Sequence, residues 1–136
     1  MLDVHGILPS GVELIQGPDG FTLVGDGMEL RGDFKHLLPR LKPGRLQREL
    51  LVRAAKVKGA GANPLAVDAT AGLGEDAILL AAAGFRVRLY ERDPVIALLL
   101  RDALNCAAGD TQLSDIMTRM EMFEEDSIEA LANLPE

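Results

Sequence analysis

The stretch Leu65 to Glu91, LAVDATAGLGEDAILLAAAGFRVRLYE, constrains this chain more tightly than any other part of it. Leu65–Asp68 is a short apolar run ending in an acid, and Ala71–Gly74 is a glycine turn. Glu75–Ala83 has helical composition, Gly84 stands where a helix C-cap belongs, and Arg86–Glu91 is a second strand ending in a carboxylate. A strand, a glycine turn, a helix and a parallel strand within 27 residues predict the first half of a doubly wound, Rossmann-like α/β sheet. Such sheets gather ligands at the carboxyl ends of their strands.

The flanking sequence extends this pattern. Asp93-Pro94 opens a helix over Val95–Ala108, with Asp as N-cap and Pro in the first turn. Met120–Phe123 reads as a short third strand and Ser127–Asn133 as a further helix. Upstream, Arg45–Lys58 reads as one helix whose apolar stripe is Leu46, Leu50, Ala54 and Val57. Phe21–Val24 and Met28–Arg31 flank Gly25-Asp26-Gly27, a hairpin signal. Pro9, Gly11, Gly17, Pro18 and Gly20 cut what precedes them into loops or very short strands. The expected division is a small β-rich region over 1–44 and a partial cofactor-binding domain over 45–136.

A chain of 136 residues, 48% hydrophobic, can bury a core, and with only five Phe or Tyr and no Trp that core is aliphatic. The single cysteine, Cys106, excludes an intrachain disulfide and a cysteine metal cluster, and it is expected to be a small buried filler. The N-terminus lacks the pattern of a signal peptide, and no apolar run approaches a membrane span. The expected compartment is the cytoplasm.

The net charge of −7 is unevenly distributed. Residues 31–58 hold nine Lys or Arg against Asp33 and Glu49, whereas 1–30 and 59–136 are acidic. The basic segment fits two readings at this point, a surface that meets a polyanion or a solvated helix face paired with neighbouring acids.

Gly72-x-Gly74-x-x-Ala77 satisfies the dinucleotide pattern, and Glu91 lies near its acid position. Glu75 and Asp76 argue against a dinucleotide, because they put two carboxylates at the helix N-terminus where a pyrophosphate would sit. Those acids suit a phosphate-free cation, and S-adenosylmethionine carries a net positive charge. Asp68 would then hold its ammonium, Gly72 and Gly74 would let the backbone approach closely, and Glu91 would accept from both ribose hydroxyls. Asp126, with Ser127 beside it, would accept from the adenine amine. Four of these acids also have a plain structural reading: Asp68 as a turn cap, Glu75 and Asp76 as ordinary first-turn acids, Asp126 as an N-cap. A carboxylate at a buried strand terminus, such as Glu91, instead needs a partner.

The run VDATAGLGEDAILLAAAGFRVRLYERDPVIALLL resembles the core of the ribosomal RNA small subunit methyltransferase J family. DATAGLGxDA followed by ERxPVxAxLL is far more specific than GxG alone, and a looser likeness runs from MELRGDF to EEDSIEAL. The resemblance implies methyl transfer from S-adenosylmethionine to a guanine N2 of 16S rRNA. It adds Arg92 to the cofactor contacts, beside Glu75, Asp76, Glu91, Asp126 and Ser127. The position of Glu75 is often Arg in the family, and Asp126 falls where Ser can stand. The family continues into a fourth strand carrying an Asp-Pro motif, so the catalytic residues are expected beyond Glu136 and the chain is expected to be truncated. An unpaired edge on the first parallel strand would then favour a dimer. Two competing functions remain open here: an NAD-dependent oxidoreductase half-domain, and a non-catalytic fragment that binds cofactor or a partner.

Overall fold

The computed structural model describes residues 8, 10–18, 20–58, 64–69 and 71–125. It contains two three-stranded sheets. The first is antiparallel, built from β1 (Val12–Gly17), β2 (Gly20–Gly25) and β3 (Met28–Leu30) in that order. Asp26 and Gly27 take φ of 52° and 73°, and Gly25 pairs with Met28 across them. Positive φ at both central residues is the turn whose twist matches a β-hairpin, which is why Asp-Gly stands here. The β1 strand pairs with β2 along its whole length, where the sequence suggested only loops or very short strands.

A single-turn 3-10 segment (Lys35–Leu37) leads into the short helices α1 (Leu38–Leu41) and α2 (Pro43–Leu46), and then α3 (Leu50–Lys58). The expected single helix over Arg45–Lys58 is therefore two. Arg48 and Glu49 donate their backbone N–H groups three residues back, to Arg45 and Leu46, tightening the chain between α2 and α3. That break resets the helical phase. Leu46 stays buried, but Leu50 is 78% exposed, Ala54 is exposed, and Val52 fills the core instead. The Val57 side chain lies outside the described residues.

The second sheet is parallel, with order β4 (Leu65–Asp68), β5 (Arg86–Tyr90), β6 (Met120–Phe123). Between its strands run α4 (Glu75–Ala82), α5 (Pro94–Ala108) and the short α6 (Ser114–Met117). Asp93 caps α5 as expected, its Oδ1 accepting from Val95 N at 2.9 Å and Ile96 N at 3.1 Å. Arg119 Nε donates to Ala81 O at 2.7 Å, placing a cation at the carbonyl end of α4. The main core joins Val87 and Leu89 of β5 to Ala77, Ile78 and Ala81 of α4 and Leu100, Ala103 and Ala107 of α5. Cys106 lies on the same helix but is exposed, contrary to expectation. Its side of α5 lines a cleft of about 470 Å³ between the helix and Arg31–Lys35.

Candidate functional site

The carboxyl ends of β4 and β5 meet at the glycine turn. Ala71 N donates to Tyr90 O at 3.0 Å, and Glu91 N donates to Phe123 O at 3.1 Å, so the turn, β5 and β6 are tied together at one end of the sheet. Asp68 ends β4, half-buried. Gly72 and Gly74 take φ of 55° and 80°, left-handed conformations that favour glycine, and Gly74 serves as N-cap of α4. The two glycines differ in surroundings. A Cβ at Gly72 would meet nothing within 4 Å, whereas one at Gly74 would press on Leu100 and Phe34. Gly72 thus faces open space and Gly74 faces the core.

Glu91 lies just beyond β5, and its carboxylate spans the turn. Oε1 accepts from Gly72 N and Oε2 from Asp93 N, each at 3.0 Å. The acid expected to meet a ribose therefore also clamps the glycine turn to the start of α5, and each oxygen keeps a lone pair for a further donor. Glu75 and Asp76 are exposed in the first turn of α4. Arg92 is exposed beside Glu91. Asp126 and Ser127 lie outside the described residues.

Sequence reading missed what comes from the other side. His36 Nε2 lies 3.5 Å from Glu75 Oε1, an ion pair when the imidazole is protonated. Arg40 forms a two-pronged pair with Glu49, with Nε–Oε1 at 2.9 Å and Nη2–Oε2 at 3.0 Å. This hydrogen bonding raises the Arg40 pKa, with smaller help from the fields of Glu75 and Asp76. Two side chains of the basic segment, His36 and Arg40, therefore lie near the acids at the start of α4. Contacts across 39 residues leave no periodic signal in sequence, so only the folded chain reveals them.

The residues fit S-adenosylmethionine: an open glycine backbone, four carboxylates (Asp68, Glu75, Asp76, Glu91) and no phosphate cradle free of acid. Comparison with known proteins separates the methyltransferase reading from the oxidoreductase one. Residues 28–136 match the family model described as "Putative SAM-dependent methyltransferase". The chain belongs to this SAM-dependent methyltransferase family. It is 39% identical over 116 residues to ribosomal RNA small subunit methyltransferase J of Acinetobacter baumannii, an alignment covering 85% of this chain and 40% of that protein. It is 47% identical over 95 residues to the protein of the same name from Alkalilimnicola ehrlichii, covering 70% of this chain and 35% of the relative. A crystal structure of a SAM-dependent methyltransferase from Neisseria gonorrhoeae superposes with a TM-score of 0.69 at 26% identity, covering 92% of this chain and 50% of the other. The chain thus spans about 40% of the length of the first of these curated relatives. The oxidoreductase reading of the glycine turn is set aside by these matches.

Proposed function

We propose that this chain is the cofactor-binding part of an enzyme that methylates a guanine N2 of small-subunit ribosomal RNA. The observation that carries the reading is the convergence of Asp68, Gly72, Glu75, Asp76 and Glu91 at the carboxyl end of a parallel sheet, in a chain that belongs to a SAM-dependent family. Two relatives are named for methylation of the same RNA. When bound, S-adenosylmethionine supplies an electrophilic methyl group on a sulfonium. Within this reading Asp68 holds the ammonium, Glu91 and Arg92 flank the ribose, Glu75 and Asp76 neutralise the cation, and Asp126 and Ser127 border the adenine. The basic segment 31–58 serves the RNA.

The basic segment divides by its contacts. Arg31 pairs with Asp33, Lys35 with Asp110 and Arg40 with Glu49. Lys42, Arg45, Arg48, Arg53 and Lys56 are exposed and form no ion pair among the described residues. These five are the phosphate-facing set. Because each neutralised phosphate releases counterions, the logarithm of RNA affinity should fall linearly with the logarithm of salt concentration. Charge-reversing Arg45 and Arg48 to Glu should flatten that slope, while salt-insensitive binding would remove the RNA role.

Calorimetric titration tests the cofactor reading. Adenosylhomocysteine should bind and NADH should not; heat from NADH alone would overturn it. The β4 edge carries no strand on its outer side among the described residues, which supports a dimer through that edge. Light scattering showing only monomer at high concentration would dismiss the dimer. Among the described residues no helix is long and apolar enough to cross a membrane, consistent with a cytoplasmic enzyme.

A further inference from the structure

We propose that Phe34 is a positioning residue for the cofactor turn, a role that rests on reading that turn as the cofactor site. The segment that carries it is folded by Asp33, whose Oδ1 accepts from Lys35 N at 2.9 Å and whose Oδ2 accepts from Arg31 Nη2 at 3.1 Å. Gly32 then lies flat on α5: a Cβ there would stand 2.6 Å from Ala103 Cβ and 3.1 Å from Leu99 O. With the segment fixed on both counts, the Phe34 ring is delivered, 3% exposed, beneath Gly74. A Cβ on Gly74 would lie 3.1 Å from Phe34 Cζ and 2.9 Å from Leu100 Cδ1. The ring tip is therefore part of the floor on which the turn rests.

Gly74 is the hinge of that turn. Its N–H donates to Ala71 O at 2.8 Å, and its carbonyl accepts from Ile78 N at 3.0 Å, starting α4. Two residues earlier, Gly72 N is held by Glu91. The turn is thus gripped at Gly72 by a carboxylate and supported at Gly74 by an aromatic ring, leaving the Gly72 side open to ligand. Shortening the ring removes the contact at its tip, and the turn settles toward the core. Gly72, Glu75 and Asp76 then leave the positions in which they meet a ligand.

The test measures adenosylhomocysteine affinity by calorimetry, and melting temperature without ligand, for the full chain and four variants. Phe34→Leu and Phe34→Ala should bind roughly tenfold more weakly. Phe34→Met, which restores reach at the ring tip, should bind close to wild type. Val52→Ala, which opens the separate core formed with Leu46 and Leu79, should lower the melting temperature yet leave affinity unchanged. If Phe34→Ala fails to fold, Phe34→Leu carries the comparison. Wild-type affinity in Phe34→Leu, or an equal loss in Val52→Ala, overturns the proposal. Absence of binding by the wild-type chain overturns the cofactor reading itself and this role with it.

Discussion

The two sheets of this protein solve the same problem, burying an apolar face, to very different extents. In the parallel sheet, Val87 and Leu89 are buried beneath α4 and α5, and the strand ends converge on the glycine turn. In the antiparallel sheet no residue of β1, β2 or β3 is fully buried. That sheet is held by main-chain pairing and a few points of attachment to α5. Asp102 Oδ2 accepts from Phe21 N at 2.8 Å, and the same carboxylate fills the space a Cβ would occupy on Gly20. Stability resides in one sheet and attachment in the other. The parallel sheet is itself unevenly covered: on the face away from α4, Leu65 and Val67 of the edge strand are 46% and 40% exposed, while Tyr90 on the same face is buried against Phe123.

Substitutions can break this contrast. Leu89→Ala should remove the largest share of stability, about 2–5 kcal/mol by urea unfolding, because it opens a cavity in the packed centre. Ile15→Ala, on the 48%-exposed side of β1, should change stability by less than about 0.5 kcal/mol. Equal losses would mean that the N-terminal sheet shares the core. Gly32→Val should destabilise by about 1–3 kcal/mol, since its Cβ overlaps Ala103. Its faster amide exchange should appear in β1–β3 and in the Gly32–Phe34 segment, with β5 unchanged. Asp102→Ala, which leaves Phe21 N–H without its acceptor, should be milder, about 1 kcal/mol, with the same exchange pattern.

The smallest effect concerns acid. Hydrogen bonding to Arg40 lowers the Glu49 pKa below its ordinary value. A carboxylate favoured as the anion in the folded state stabilises fully at neutral pH, and that contribution is lost as pH falls through the folded-state pKa. Glu49→Gln should therefore flatten the acid limb of the melting temperature against pH and leave the neutral region nearly level. An unchanged limb would show that the pair does not couple to folding.

Much of this was legible in the sequence where local chemistry decides the outcome. The Asp26-Gly27 hairpin, the Asp93-Pro94 helix start, the glycine turn and the three parallel strands all depend on residues within a few positions of one another. The errors arose where a local pattern met a tertiary choice. Leu50 fitted a helical stripe, but the Arg40–Glu49 pair and the tight turn between α2 and α3 place it in solvent and turn Val52 inward. Cys106 fitted a buried helix, but it is exposed on the side of α5 that lines the cleft beside Arg31–Lys35.

The site divides in the same way. By itself the sequence determined which residues stand at the strand ends and that the turn required glycine at two positions, because φ preferences and strand alternation are local. Only the tertiary structure decided that the two glycines face opposite ways, one toward open space and one onto Phe34. It also decided that Glu91 grips Gly72 and that His36 stands beside Glu75. These contacts join residues 19 to 40 positions apart, and such distances close only when packing brings the segments together.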